Sequence, residues 1–214
     1  MEKKIEVNLK GSSSIETIAQ GFNGLAALQT LGIDDLEKVA AIKVNGEIKD
    51  ISAEIDSSVE IEPIYINSAE GLQILRHSAA HVMAEAVKDL FPGVKVTIGP
   101  AIQDGFYYDF DYERPFDSSD LPKIESKMAE IISKDLPFIR SEVLSNEAIE
   151  LFKSQGESYK VELIEDLSEE VVSIYNQGNF TDLCRGPHLP STGKIKAFHL
   201  THVAGAYWKG DEKK

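Results

Sequence analysis

The sequence predicts an α+β protein in two parts, a small mixed unit followed by a larger domain of sheet and helices. Three observations carry that reading. Apolar and polar residues alternate in short runs such as Ile5, Val7 and Leu9, the period of half-buried strands. Residues 68–90 instead repeat their apolar positions at helical spacing. Strand-like and helix-like runs follow one another without regular βαβ alternation.

The first strand stops at Gly11. Ser13 followed by Glu16 has capping-box spacing, and Ile15, Ile18 and Ala19 supply the apolar face of a short helix. A second apolar stretch, Leu25 to Leu31, ends at Gly32. Val39 to Val44 reads as a strand, and Asn45-Gly46, the preferred dipeptide of a tight hairpin, returns it through Glu47-Ile48. Val59-Glu60-Ile61 is a last strand before Pro63. Strand, helix and hairpin in this order and size predict a β-grasp, the ubiquitin-like arrangement, over residues 1–66. It has no acid/base pair, phosphate loop or metal spacing, so it reads as a binding or docking module.

Residues 67–214 form the second part. Ser68 caps a helix running to about Leu90, closed by Phe91-Pro92-Gly93. Its stripe is Leu75, Ala79, Val82, Met83, Ala86 and Leu90, with His77 and His81 beside it at the core's edge. Val94 to Ile98 is a strand and Gly99-Pro100 a turn; residues 105–112 alternate aromatic and acidic residues from position 108, as a strand with one wet face does. Asp120 to Lys134 is a helix and Phe138 to Leu144 a strand, and Ser145 opens a helix that Gly156 ends. Strand-like runs at Val171 to Tyr175 and Asn179 to Cys184 lead into a loop at Arg185-Gly186-Pro187; Ala197 to Val203 and Ala206-Tyr207-Trp208 complete the chain.

Composition excludes several classes. Hydrophobic and charged contents of 42% and 27% are those of a soluble globular protein. No apolar stretch approaches the roughly 20 residues of a membrane span, and Met1 to Val7 lacks the apolar run of a secretion signal. A single cysteine forbids an intrachain disulfide and favours a cytoplasmic setting. A net charge of −14 argues against a general nucleic-acid coat. Residues 182–214 nevertheless hold six basic side chains (Arg185, Lys194, Lys196, Lys209, Lys213, Lys214) against three acidic ones. That fits contact with a few phosphates, or simply a solvated run of mixed charge.

The chemistry concentrates in two short segments. Arg76-His77-Ser78-Ala79-Ala80-His81 sets two imidazoles at i and i+4 on one helix face. Asp182-Leu183-Cys184-Arg185-Gly186-Pro187-His188 repeats that spacing with a cysteine and a third histidine. Each pair alone has a plain alternative, a packed histidine pair or a small buried thiol. Together they form a candidate four-ligand cluster of the kind that binds zinc or supports hydrolysis. Zinc-protease chemistry is excluded, because Ser78 stands where a glutamate must follow the first histidine. Asp182 and Cys184, two apart in a strand, face one side. Lys160 could stabilise an oxyanion or touch a phosphate, and Tyr108 and Tyr175 could donate hydroxyls or stack on a base; a solvated lysine and core aromatics are the alternatives.

These segments, with Ile98-Gly99-Pro100, residues 105–109, Gly156-Glu157-Ser158-Tyr159-Lys160 and residues 204–211, resemble the amino-terminal half of bacterial threonyl-tRNA synthetases in order and over the whole chain. The resemblance implies a TGS domain at 1–66 and, at 67–214, the editing domain shared with alanyl-tRNA synthetases. It implies hydrolysis of mischarged seryl-tRNA(Thr) to serine and tRNA(Thr), without aminoacylation, because the ATP- and Mg-dependent core and the anticodon domain are missing partners from the same polypeptide. His77, His81, Cys184 and His188 would line the cleft, with His77 and the ribose hydroxyl activating water. Lys160 would hold the terminal adenosine or the developing charge, and Asp182 the serine ammonium. Tyr108, Tyr175 and Arg185 would bind substrate. No metal is required on the threonyl branch; if zinc binds, as in the alanyl branch, the same four Cys/His residues hold it. The alternatives are a non-catalytic tRNA-binding or docking module and a zinc-dependent trans-editing hydrolase of the alanyl type.

Overall fold

A computed structural model describes residues 3–206 and 208. It is α+β with several sheets, and it divides into two units. One comprises residues up to 75 together with 186–190; the other comprises 76–185 and the residues from 191 onward. Among the described residues no helix is long and apolar enough to cross a membrane.

In the first unit the elements run β1 (Lys4–Leu9), β2 (Ile15–Ala19), β3 (Phe22–Asn23), α1 (Gly24–Thr30), β4 (Val39–Val44), β5 (Glu47–Lys49), β6 (Glu54–Ile55) and β7 (Val59–Tyr65). Five of them form one sheet in the order β2-β1-β7-β4-β5, with β1 and β7 parallel and the other neighbours antiparallel. Val7, Ile42 and Ile61 of the sheet and Ala27 and Leu28 of α1 are fully buried in its core. The β4–β5 turn is the expected Asn45-Gly46, both with positive φ (51° and 87°), as a twist-matched hairpin turn requires.

Two expectations for this unit are corrected. Ile15 to Ala19 is a strand, not the capped helix that Ser13 and Glu16 suggested. It pairs in antiparallel register with β1 from Lys4↔Ala19 to Asn8↔Ile15, so a sheet partner outweighs a local cap. Strand β7 also runs past Pro63. Pairing with β1 stops at Ile61, so the missing N–H of Pro63 falls where no ladder bond is made on that side.

The long helix α2 spans Ala69–Leu90, and the Ser68 hydroxyl accepts the Gly71 N–H at 3.0 Å, as a cap should. Then come β8 (Lys95–Val96), β9 (Ala101–Ile102), β10 (Gly105–Phe106), β11 (Phe110–Asp111), α3 (Leu121–Ser133), β12 (Ile139–Leu144), α4 (Ser145–Ser154), α5 (Ser158–Leu167), β13 (Val171–Gln177) and β14 (Phe180–Leu183). Strands β12-β13-β14 form an antiparallel sheet. One face, with Val172, Ile174 and Leu183, packs on Ala148 and Phe152 of α4 and Ile164 of α5. Alternation puts Tyr175 and Asp182, which are cross-strand partners, on the other face.

Here too the sequence reading needs correction. Residues 105–112 are not one strand: β10 pairs with β9, β11 pairs with β8, and the chain between them turns inward to bury Tyr108. The strand expected over 94–98 shortens to Lys95–Val96. Helix α5 was not foreseen; its Ile164 is buried beside half-buried Val161, whereas Lys160, also buried, interrupts any clean apolar stripe. Residues 197–203 carry no regular structure. Tyr207, Lys209, Gly210 and Asp211 of the last matching segment, with Lys213 and Lys214 of the basic run, lie outside the described residues.

Candidate active site

Helix α2 carries both histidines of the first segment, β14 carries Asp182, and Cys184 directly follows its last residue. The i,i+4 spacing brings the rings of His77 and His81 to 4.9 Å between centroids, edge to face. His77 is half-buried and its Nε2 lies 3.0 Å from Sγ of Cys184. His81 is 3% exposed, with Nε2 3.6 Å from Asp182 Oδ2 and its ring against Tyr108 and Phe180. The ligand atoms of His77, His81 and Cys184 all lie within 4.8 Å of one another. His188 is itself 1% exposed, and its N–H donates to Asp50 Oδ1 at 3.0 Å.

Beside the histidines sits a buried ionic network. Lys160 enters from the first turn of α5, 2% exposed. Lys160 Nζ donates to Thr97 O at 2.6 Å and Tyr108 Oη at 3.0 Å and is ion-paired with Asp182 Oδ1 at 2.5 Å, a contact too poorly aligned to count as a hydrogen bond. Tyr108 in turn donates to Asp182 Oδ2 at 2.6 Å, closing the triangle. A buried ion pair survives only when its polar atoms are met in this way, and deleting one partner typically costs about 3–5 kcal/mol.

The electrostatics separate the roles. Burial pushes the His81 imidazole well below its ordinary pKa, reinforced by its neighbours His77 and Lys160, so His81 is held as a neutral imidazole. Burial and the Asp182 carboxylate push Tyr108 well above the ordinary phenol, so it stays a donor.

Of the residues singled out from sequence, His77, His81, Lys160, Asp182, Cys184 and Tyr108 are therefore joined by direct contacts within one cluster. Tyr175 is buried and registers opposite Asp182 on the same sheet face. Arg185 is placed differently: its side chain is exposed and paired with Glu169 at 2.8 Å. It lines a hollow of about 270 Å³ with Leu163, Leu167, Val172, Leu183 and Cys184. Thr97, whose carbonyl takes one Lys160 proton, went unnoticed, since a backbone acceptor leaves no mark in a sequence. Gly99 matters for a similar reason: a Cβ there would fall 2.0 Å from Tyr108 Cδ2, so only glycine lets that ring lie flat on the backbone.

Such a cluster combines a protonatable imidazole, a thiol–imidazole contact and a fixed ammonium–carboxylate pair, the parts needed to activate water and stabilise developing charge. Cysteine and histidine are also the donor types that zinc prefers.

Comparison with known proteins bears on which chemistry this is. Residues 172–214 match the family described as the threonyl and alanyl tRNA synthetase second additional domain. The chain is 51% identical over 209 residues to a threonine–tRNA ligase of Pelobacter propionicus, covering 98% of this chain and 33% of that protein. It is 49% identical over 210 residues to the Wolbachia pipientis counterpart, covering 98% and 33%. With that of Nitratidesulfovibrio vulgaris it shares 54% over 178 residues, covering 83% and 28%. It thus matches the amino-terminal region of these ligases and spans about 30% of their length.

Proposed function

We propose, from the premise that the chain corresponds to the amino-terminal, second-additional-domain part of a threonine–tRNA ligase, that it hydrolyses the ester of seryl-tRNA(Thr) to serine and tRNA(Thr) in the cytoplasm. In this reading residues 1–66 are a TGS-type β-grasp, supported by the mixed five-stranded sheet with α1 against it. Residues 67–214 are the editing domain. The need for such an activity is physical. Serine differs from threonine by one methyl and keeps the hydroxyl, so a single site discriminates by only about 1–3 kcal/mol. A second pocket that excludes the methyl supplies the rest.

The observation that carries this reading is the Lys160–Tyr108–Asp182 triangle lying against the His77/His81/Cys184 group. Asp182 has about four acceptor positions. Tyr108 hydrogen-bonds Oδ2 while Oδ1, ion-paired with Lys160, makes no hydrogen bond among the described residues, leaving capacity for a substrate ammonium. His77, the more accessible imidazole, works with the ribose hydroxyl to deliver water to the ester carbonyl, and Lys160 stabilises the charge that develops there. Neutral His81 orients its neighbour without adding positive charge beside Lys160. Cys184 shapes the pocket through its contact with His77. Tyr175 and Arg185 contribute to the binding of the tRNA(Thr) acceptor end.

Incubation of the chain with seryl-tRNA(Thr) and threonyl-tRNA(Thr) tests the proposal. Serine is released well above the spontaneous rate while the threonyl ester persists, and His77→Ala and Lys160→Ala each lower the rate at least about a hundredfold. Binding of acceptor-stem RNA with no ester loss would return the chain to a docking module.

One observation favours a zinc-bound form: the ligand atoms of His77, His81 and Cys184 gather within 4.8 Å. His77, His81, Cys184 and His188 would hold the ion, which would supply Lewis-acid activation of water. Stoichiometric zinc in purified protein, with activity lost to a chelator and restored by zinc, would establish the alanyl-type reading. Full activity in chelator leaves the metal-free reaction in place.

A further inference from the structure

Glu157, three residues before Lys160, is 2% exposed although it carries a carboxylate. Burial of that charge is unfavourable unless both oxygens are engaged, and here they are. Oε2 accepts the Val96 N–H at 3.0 Å, and Oε1 is paired with Nζ of Lys88. The Glu157 carbonyl accepts the N–H groups of Lys160 at 3.1 Å and Val161 at 3.2 Å, opening α5. These partners come from three elements that each serve the site. Lys88 lies on α2, the helix of His77 and His81. Val96 ends β8 and precedes Thr97, the carbonyl acceptor of Lys160. Lys160 itself stands in the first turn of α5.

We propose that Glu157 is a positioning residue for the hydrolytic site. Through Lys88 and Val96 it ties the start of α5 to α2 and β8, so that the Lys160 ammonium is held on Asp182 and Tyr108 in register with the histidine pair. It acts only through Lys160. The activity readout rests on the hydrolase reading above.

The test is a double-mutant cycle on the full chain under single-turnover conditions. Glu157→Gln keeps the shape and an oxygen for the Val96 N–H but removes the charge. It lowers the maximal rate of seryl-tRNA(Thr) hydrolysis about 10- to 100-fold, the scale expected when a reacting group shifts by about 1 Å. Half-saturation changes less than about threefold. In a Lys160→Ala background the same substitution changes the rate less than about threefold, because residues acting as a unit are not additive. An equal factor in both backgrounds marks a merely structural role and overturns the proposal, as does no effect in the native background.

Should Glu157→Gln fail to fold, Lys88→Met interrogates the same link from the other end and carries the same coupling to Lys160→Ala. Nitrogen-detected NMR of the lysine ammonium groups provides a readout independent of activity. The Lys160 signal, assigned by its loss in Lys160→Ala, is protected from exchange in the native chain and loses protection in both variants. If the native chain hydrolyses nothing, the hydrolase reading fails while this signal still decides the positioning role. An unchanged Lys160 signal in both variants overturns it.

Discussion

Tyr108 shows how much a single position depends on its neighbours. Its hydroxyl serves two charged partners while its ring occupies the space a Gly99 side chain would fill. Gly99→Ala therefore displaces the ring or the backbone, at a cost of about 1–3 kcal/mol. Chemical denaturation reads that cost, and on the proposed hydrolase reading seryl-tRNA(Thr) hydrolysis falls with it because the Lys160–Asp182 pair loses its third member. Tyr108→Phe leaves the ring seated and removes only the two hydrogen bonds, so it lowers activity with a smaller change in stability. A second residue-scale prediction concerns Glu85, 8% exposed on α2. Burial raises its pKa despite the hydrogen bond from Gln177 Nε2 at 2.7 Å. A raised folded-state pKa means the folded protein binds the proton more tightly than the unfolded chain, so stability is lost as pH rises through that value. Gln177 Oε1, meanwhile, finds no hydrogen-bond partner among the described residues. Glu85→Gln removes the charge and supplies a donor. It gains on the order of 1 kcal/mol at pH 7, and the charge-related part of the gain shrinks as pH falls through the raised folded value and is gone below the unfolded value near 4.5, measurable as the difference in Tm across a pH series.

Among the elements, α2 was legible in the sequence and α5 was not. Helix α2 has a capping serine at 68, a long run without glycine beyond Gly71 and a closing Phe91-Pro92-Gly93, all local signals. Ser68→Ala removes the hydrogen bond to Gly71 and costs about 1 kcal/mol, checked by the denaturation midpoint, with the histidine cluster otherwise intact. Helix α5 lacks such marks because its polar residues are used internally: Glu157 is buried at its start and Lys160 is buried in its first turn. Strand β2 fails in the opposite direction. Ser13 and Glu16 imitate a helix start, yet pairing with β1 satisfies the backbone along five residues, which one cap cannot rival. The broken run at 105–112 has the same origin, since β10 and β11 answer to different partners.

At the scale of the whole molecule, a net charge of −14 limits how nucleic acid can be held. On the proposed reading, binding comes from a few local cations instead of a broad positive surface, so the affinity for acceptor-stem RNA depends only weakly on salt. Two or three phosphate contacts give a slope of about −2 in log affinity against log salt. A slope steeper than about −5 would mean a basic footprint that this composition does not provide.

The sequence by itself determined the α+β class, the length of α2, the Asn45-Gly46 hairpin and the histidine face at 77 and 81. Each of these is set by residues within a few positions of one another, where helical period, turn chemistry and strand alternation operate. Only the tertiary structure decided that Ile15–Ala19 is a strand, that Lys160 is buried on Asp182 instead of solvated, and that Arg185 points to Glu169. Those outcomes turn on partners distant in the chain, and on whether a charge meets its counterpart once water has been excluded.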